Sequence, residues 1–475
     1  MGYLKTLTTG LAAASVASAG NAPLHQGFQQ KQFEQTFYDG YNLLKYTGGL
    51  GPYSDRQSYG IDRNPPAGCE VDQVFMLMRH GERYPDWFSA EPFVKVLDKM
   101  SHSKVKTWAG DLAFFKDWTY YVPDSNLYSQ ESTTGPYAGL LNGYHRGSEY
   151  RSRYGNLWDG KSIVPIFASG YERVIETARK FGEGFFGYNY STNAAINIIP
   201  EDASWGANSL TPSCAADTGL LACYFQPRTS PQFEVAAHRF NSQNPGLKLN
   251  STDIFALMEM AAFELNVRPS TPWMNAFTMD EWVAFGYIQD LQYYYCAGPG
   301  NPNQIAVGQV YANATLSLLV AGPKEGSMFW SFSHDANITP VVAALGIDIP
   351  DQHLPNNTIP FPHTYHVTDI VPMGGHLVLE RLTCSATAIS QPGHFVRAVI
   401  NEAVVPWSSC QSGPGYSCPL SEYAALVKRI PHFDNVCKTP AAYPQHLSFF
   451  WDYNTTTAHN YQRGPIASQL AATDS

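Results

Sequence analysis

A continuous apolar run from Val74 to Met78 ends abruptly at Arg79. Because the run has no polar face, it predicts a strand that is buried on both of its faces. Strands of this kind form the interior of α/β sheets, which helices cover on both sides. The charged residues that begin at Arg79 therefore follow the carboxyl end of a core strand, which is where open α/β sheets bind their ligands.

Further apolar segments predict the remainder of the fold. The predicted class is α/β, with a mainly parallel central sheet flanked by helices and a mostly helical inserted domain. Strands are expected at about 162–167, 328–332, 376–383 and 395–404, and helices at about 173–186, 252–266, 279–297, 304–321 and 339–345.

The chain is expected to contain one domain of two parts, preceded by two short segments. We assign residues 1–19 to a signal peptide, 20–65 to an N-terminal arm and 66–475 to the domain. The α/β part is expected to comprise about 66–86, 160–200 and 300–475, and the helical insertion about 87–159 and 201–299.

The first residues are typical of a secretory signal peptide. Lys5 supplies a positive charge, residues 7–16 are apolar, and Ala17-Ser18-Ala19 fits a cleavage site of small residues. The apolar stretch is too short to span a bilayer, and no later segment offers a clean run of about 20 apolar residues. We therefore expect a protein that is secreted, to the medium or to the cell-wall or periplasmic space, without a membrane anchor.

The cysteines agree with an oxidising compartment. There are eight, and none forms a C-x-x-C pair, so the spacing typical of a zinc site is missing and no metal is expected. An even number behind a signal peptide predicts four disulfides, although spacing alone leaves about 105 pairings open. The sequence has six N-x-[ST] sequons. The candidates for glycosylation are Asn189, Asn250, Asn313, Asn356 and Asn454, whereas Asn337 lies beside the polar pair His334-Asp335 and is not expected to be modified.

The formal net charge is −10, from 30 basic and 40 acidic residues. A chain of this charge has no broad basic face, so no nucleic-acid partner is expected. If the substrate is an anion, a local cluster of cations has to bind it against the overall charge.

Such a cluster stands directly after the apolar run, in Arg79-His80-Gly81-Glu82-Arg83-Tyr84-Pro85. Arginines bind phosphate oxygens in pairs and keep their charge at any relevant pH. Their field lowers the pKa of the histidine between them, and a neutral imidazole is a competent nucleophile. An ordinary loop or helix face with salt-bridged arginines is the alternative interpretation of a bare R-H-G triplet.

The full pattern R-H-G-x-R-x-P resembles the signature of the histidine acid phosphatases, and the chain is similar to their branch of fungal phytases and yeast acid phosphatases. The resemblance extends over about residues 65–440. Other segments that carry it are Cys69, ten residues before Arg79, the run Ser169–Val174 around Arg173, the triplet Ser333-His334-Asp335, the run His394–Arg397 and the pair Cys410 and Cys418.

The resemblance implies a histidine-phosphatase fold and a role for each matching residue. His80 would attack phosphorus to give a phosphohistidine, and Asp335 would protonate the leaving alcohol. Arg79, Arg83, Arg173 and His334 would bind the phosphate oxygens, without a cofactor. The disulfides implied by the resemblance are Cys69–Cys384, Cys214–Cys437, Cys223–Cys296 and Cys410–Cys418.

The expected substrates are small phosphate esters, phytate and simple phosphomonoesters alike. In the phytases most selective for inositol hexakisphosphate, lysines close behind the signature help to bind the additional phosphates. Here the stretch from Asp86 to Pro92 is acidic and apolar, and lysines follow only at Lys95 and Lys99. This difference favours a broad acid phosphatase over a phytate specialist.

Several alternatives remain open at this point. One is a nonspecific acid phosphatase with little phytase activity, and another is an inactive secreted glycoprotein that keeps the fold. A phosphoglycerate-mutase-like phosphotransferase shares the R-H-G core, but its chemistry is cytosolic. A glycoside hydrolase would need a pair of carboxylates, and none stands out. The oligomeric state, a homo-oligomer included, does not follow from the sequence.

Overall fold

The structure, a computed structural model, describes residues 37–38, 41–226, 229–388, 391–453 and 455. The predicted signal peptide and the sequon at Asn454 lie outside these residues. Within them, the core is an eight-stranded sheet in the order β10-β8-β7-β3-β6-β4-β5, with β9 paired to β8. Its strands are β3 (Cys69–Arg79), β4 (Val164–Ser169), β5 (Ala194–Ile199), β6 (Met328–Ser333), β7 (His376–Cys384), β8 (Gly393–Ile400), β9 (Ala403–Val404) and β10 (Cys418–Pro419), and a separate hairpin pairs β1 (Phe37–Tyr38) with β2 (Tyr41–Asn42).

The sheet is mixed. Strands β3, β6, β4 and β5 are neighbours and run parallel, whereas β7 pairs antiparallel with β3, and β8 pairs antiparallel with β7, β9 and β10. Helices flank this sheet, so the predicted α/β class is confirmed. Because β3, β6, β4 and β5 run parallel, their carboxyl ends lie at the same edge of the sheet.

Strand β3 is buried on both faces, as its apolar run predicts. Val74, Met76 and Met78 belong to one hydrophobic core, and Phe75 and Leu77 belong to the core on the opposite side. Successive side chains of a strand point to opposite faces, so an uninterrupted apolar run supplies both cores at once.

Two helices, α2 (Gly139–Tyr154) and α3 (Glu172–Phe186), pack against each other and cover the face of Val74. Their backbones cross closely, because a Cβ atom on Gly147 would lie 2.1 Å from the carbonyl oxygen of Phe181. No residue other than glycine fits such an approach without a shift of one helix.

The opposite face is covered by a larger set of helices that share one hydrophobic core. Within the described residues, one helix, Pro302–Ala321, is long and apolar enough to cross a membrane by length and composition, and 72% of its most apolar window is buried inside the protein. The helices that contribute to this core are α1 (Trp87–Ser101), α5 (Pro231–Gln243), α6 (Ser251–Glu264), α7 (Trp273–Ala276), α8 (Met279–Cys296), α9 (Pro302–Ala321), α10 (Asp335–Ala344), α11 (Val367–Ile370), α12 (Leu420–Val427) and α13 (Phe433–Cys437).

Shorter elements complete the fold. They are α4 (Leu220–Tyr224) and the 3₁₀ helices Leu43–Tyr46, Gly110–Lys116, Ser125–Leu127, Gly155–Leu157, Tyr190–Thr192, Ala203–Trp205, Pro323–Glu325 and Pro414–Tyr416.

Two of the expected elements differ from the structure by more than a shift of about two residues. Helix α10 begins at Asp335 and not near residue 339, and it contains Pro340. Proline usually occupies the first turn of a helix, so its position favours a later start than the real one. The expected strand 395–404 is two strands, because Asn401 and Glu402 have φ of 45° and 68° and turn the chain back between them.

The structure contains the four disulfides that the resemblance implies, Cys69–Cys384, Cys214–Cys437, Cys223–Cys296 and Cys410–Cys418. The sequons at Asn189, Asn250, Asn313 and Asn356 are exposed, whereas Asn337 is half-buried. The division into an α/β part and a helical insertion stays a prediction.

Candidate active site

The predicted site residues meet at the carboxyl ends of the parallel strands. Arg79 on β3 lies in register with Ser333 on β6, so His80 and His334 follow neighbouring strands at the same level. Strand β4 lies on the other side of β6, and the helix that follows it begins with Glu172 and Arg173. The sheet thus brings together residues that are up to 256 positions apart, from Arg79 to Asp335.

His80 is held in one tautomer. Its side chain is buried, and Nδ1 lies 2.8 Å from the carbonyl oxygen of Gly81. A carbonyl only accepts, so Nδ1 donates its hydrogen and the lone pair of the neutral ring resides on Nε2. Burial lowers the pKa of His80 well below its ordinary value, and the charges of Arg173 and Arg79 lower it further.

Gly81 is fixed by a buried carboxyl group. Its N–H lies 3.0 Å from Oε1 of Glu131 and 2.9 Å from Oγ1 of Thr177. A Cβ at this position would lie 2.6 Å from the carbonyl oxygen of Gly139. Glycine is therefore required at this position because the backbone of Gly139 approaches it closely. Glu131 was not recognised from the sequence.

Arg79 is bound to the backbone on one side and to a carboxylate on the other. Nη1 donates to the carbonyl oxygens of Gly49 and Val371, both at 2.6 Å, and Nη2 lies 2.7 Å from Oδ2 of Asp335. The guanidinium is 1% exposed. Its direction is therefore set before any substrate arrives.

The two other arginines flank the same space. Arg83 donates from Nη1 to the carbonyl oxygen of Tyr84 and from Nη2 to Asp86, which also caps helix α1. Burial and the charge of Arg83 lower the pKa of Arg173 to about 10. Within the described residues, the Nε atoms of Arg79, Arg83 and Arg173 are buried without a hydrogen-bond partner. Guanidinium groups that repel one another, and N–H donors without partners, are typical of an anion-binding site before the anion is bound.

His334 lies against His80, with 5.7 Å between the ring centroids. Its Nδ1 is 3.4 Å from Nη2 of Arg173, and its Nε2 is 2.9 Å from Oε1 of Glu201. A carboxylate only accepts, so Nε2 carries the hydrogen that Glu201 accepts. Burial opposes the charge of Glu201, but His334 beside it holds the pKa of that carboxyl below its usual range.

Glu201 was missed by the sequence reasoning. It lies two residues after the end of β5, at the same edge of the sheet as the ends of the other parallel strands. A charged residue two positions after a further apolar segment, Ala194–Ile199, was the available signal.

Asp335 is the first residue of α10, and both of its carboxylate oxygens accept hydrogen bonds. Oδ2 lies 2.7 Å from Arg79 and 2.5 Å from the hydroxyl of Tyr293, and Oδ1 accepts from the N–H of Ala336 at 2.8 Å. Burial alone would raise the pKa of Asp335, but Arg79 and these donors hold it at about 2. Tyr293, from α8, had no distinguishing signal in the sequence.

The arrangement supplies a neutral imidazole nitrogen, three guanidinium groups and a carboxyl group within one buried cluster. Cationic donors of this number can neutralise the oxygens of a phosphoryl group, and the carboxyl group can transfer a proton.

Comparison with known proteins agrees with this geometry. The model of the histidine phosphatase superfamily (branch 2) matches residues 70–401. A phytase of Candida albicans is 37% identical over 435 residues, which cover 89% of this chain and 93% of the relative. An acid phosphatase of Komagataella pastoris is 36% identical over 441 residues, which cover 90% and 93%. The crystal structure of the phytase from D. castellii superposes with a TM-score of 0.82 at 34% identity, over 89% of this chain and 93% of that one.

Proposed function

The chain belongs to the histidine phosphatase superfamily, branch 2, and is a phosphoric monoester hydrolase; we propose that it is a secreted acid phosphatase. Its proposed substrates are phosphomonoesters, phytate included, and the reaction passes through a phosphohistidine at His80. The observation that carries the proposal is the tautomer of His80. Its Nδ1–H is bound to the carbonyl oxygen of Gly81, so Nε2 keeps its lone pair within the cluster of arginines.

In the first step Nε2 of His80 attacks phosphorus as the bond from phosphorus to the leaving oxygen breaks. Asp335 transfers its proton to that oxygen, and the alcohol departs. Arg79, Arg83, Arg173 and His334 bind the three non-bridging oxygens and stabilise the charge that develops on them.

In the second step water attacks the phosphohistidine. Asp335, now ionised, accepts a proton from the water, the phosphorus–nitrogen bond breaks, and inorganic phosphate leaves. His80 returns to its neutral form, because its Nε2 regains the electron pair of the broken bond. The three guanidinium groups supply the positive charge that stabilises both steps.

The preference for broad substrates is supported by the partners of the residues behind the signature. Asp86 pairs with Arg83, Lys95 with Glu91 and Lys99 with Asp253. Both lysines thus have carboxylate partners, and neither is a free cation for the outer phosphates of phytate. Relatives named as a phytase and as an acid phosphatase support hydrolysis of phytate together with simple esters.

The mechanism is tested by trapping the intermediate. The enzyme is mixed with a ³²P-labelled phosphomonoester and quenched in alkaline detergent, which preserves phosphohistidine, and the labelled peptide is mapped. We expect label on His80 and none in His80→Ala. The matched control is His102→Ala, an exposed histidine, which keeps the label. Label on another residue, or normal turnover in His80→Ala, contradicts the mechanism.

The substrate and the location are tested separately. We expect kcat/KM for phytate and for an aryl phosphate to lie within about tenfold of each other; a much lower value for phytate identifies a nonspecific acid phosphatase. For secretion, we expect the protein recovered from the medium of a yeast host to begin at Gly20. Retention of Lys5 on the exported protein would contradict cleavage of a signal peptide.

A further inference from the structure

A second cluster of polar side chains lies outside the site of His80. It consists of Asp290 on helix α8 and of His363 and His366 in the segment before α11. Oδ2 of Asp290 lies 2.8 Å from Nε2 of His363 and 3.5 Å from Nδ1 of His366. The three potential ligand atoms all lie within 4.8 Å of one another.

The hydrogen bond made by Nε2 of His366 leaves Nδ1 of the same ring facing an acceptor, Oδ2 of Asp290. Nε2 lies 3.0 Å from the carbonyl oxygen of His363, so it carries the hydrogen. In the neutral ring Nδ1 then has a lone pair, and this lone pair faces Oδ2 of Asp290, which also only accepts. Two acceptors turned toward each other require a proton or a cation between them.

His363 gives an independent observation. Its side chain is 10% exposed, and its Nε2 is the ring nitrogen that faces Oδ2 of Asp290. The rings of His363 and His366 pack edge to face, with centroids 4.3 Å apart. Asp290 is oriented by the N–H of Val367, which donates to Oδ1 at 2.7 Å. A carboxylate oriented by a hydrogen bond from the backbone is typical of the support around metal ligands.

We infer that Oδ2 of Asp290, Nε2 of His363 and Nδ1 of His366 bind a divalent transition-metal ion of the zinc class. Imidazole and carboxylate suit zinc, with bonds of about 2.0–2.2 Å. A tetrahedral site with such bonds places its ligand atoms about 3.3 Å apart. The two measured separations, 2.8 and 3.5 Å, lie on either side of this value. Water can take the fourth position, because the side chain of His366 is 37% exposed.

The ion connects the chain between α10 and α11 to helix α8. It takes no part in the proposed hydrolysis, whose groups are those around His80 and Asp335. Its role is to hold this long connection on the helix, and the neighbouring carboxylate, Asp369, is already paired with Lys45 at 2.8 Å.

The test is a calorimetric titration of the full chain, freed of metal by dialysis, with Zn²⁺ at neutral pH. We expect one tight site per chain in the wild type and binding at least about tenfold weaker in His366→Gln. His366 is half-exposed, so this variant is chosen to preserve folding. The matched control is His353→Gln, whose histidine lies in the same connection and bonds the hydroxyl of Tyr294. We expect it to bind Zn²⁺ as the wild type does.

Two further measurements separate this inference from the proposed function. Zn²⁺ should raise the melting temperature of the wild type but not of His366→Gln. Turnover of an aryl phosphate in acid should be the same with and without EDTA. Equal Zn²⁺ binding in the wild type and in His366→Gln, or no tight site in either, overturns the inference. A loss of turnover with EDTA overturns the structural role of the ion.

Discussion

Nη2 of Arg79 and Oδ2 of Asp335 lie 2.7 Å apart, so the proposed phosphate ligand and the proposed proton donor form an ion pair when no substrate is present. This pair holds the pKa of Asp335 at about 2, which is too low for a proton donor at moderately acid pH. A phosphate dianion competes for Arg79 and places negative charge beside the carboxylate. Both effects raise the pKa of Asp335, so binding of the substrate itself prepares the acid.

Replacement of Asp335 by asparagine removes the proton donor and keeps the size of the side chain. We expect kcat for an alkyl phosphate to fall by about 10²–10⁴. The fall should be smaller for p-nitrophenyl phosphate, whose leaving group needs little protonation. Inorganic phosphate should bind more tightly, because Arg79 loses its competing carboxylate. Steady-state kinetics with both substrates and the inhibition constant of phosphate check these outcomes, and equal losses on the two substrates would contradict the role as acid.

Tyr293 donates to the same oxygen of Asp335 at 2.5 Å. Its hydrogen bond favours the ionised carboxylate, so Tyr293→Phe should raise the pKa of Asp335 and move the neutral-side decline of activity to higher pH. We expect kcat at the optimum to fall about tenfold, the equivalent of about 1.4 kcal/mol, because Asp335 loses an orienting partner. The pH profile of kcat is the measurement.

The matched control for Tyr293→Phe is Tyr295→Phe, on the same helix. The hydroxyl of Tyr295 donates to the carbonyl oxygen of Leu354. We expect the pH profile of this variant to match the wild type. An identical shift in both variants would mean that the helix and not the bond to Asp335 is responsible.

The sequence predicted those parts of the site that follow apolar strands. His80, Arg173 and His334 each stand just behind such a segment, and parallel pairing of β3, β6 and β4 brings their strand ends to one edge. This step needs only the period of the apolar residues and the rule that ligands bind at the carboxyl ends of strands.

Residues that reach the site from the helical side were not predictable in this way. Tyr293 lies within a helix that has many aromatic residues, and only the hydrogen bond from its hydroxyl to Asp335 singles it out. Asp290 and His363 are 73 positions apart, so no ligand spacing connects them in the sequence. The expectation of no metal, which rested on cysteine spacing, stays a prediction, and cysteine spacing does not detect a His/Asp cluster assembled by tertiary structure.

Glu201 orients His334 through the bond to Nε2. Glu201→Gln keeps an acceptor but removes the charge, and a hydrogen bond between charged groups contributes about 1.5–3 kcal/mol. We therefore expect KM and the inhibition constant of phosphate to rise about tenfold or more, with a smaller effect on kcat. Asp202→Asn, at an exposed neighbour, is the control and should leave both constants unchanged. A fall in kcat with unchanged KM would contradict a role in phosphate binding.

Glu131 accepts a hydrogen bond from the N–H of Gly81. This buried carboxyl group makes the free energy of unfolding depend on pH. Burial raises its pKa from 4.5 to about 8, so the folded protein holds a proton that the unfolded chain has released. Stability from this group is fully present below about pH 4.5 and is lost as the pH rises through 8, by several kcal/mol in total.

Glutamine at position 131 has no charge to bury and can still accept a hydrogen bond from the N–H of Gly81. Glu131→Gln should therefore melt at the wild-type temperature at pH 4 and above it at pH 7.5, as scanning calorimetry can measure. The exposed Glu91→Gln should show no difference at either pH, and a lower melting temperature of Glu131→Gln at pH 7.5 would show that the ionised carboxylate stabilises the fold.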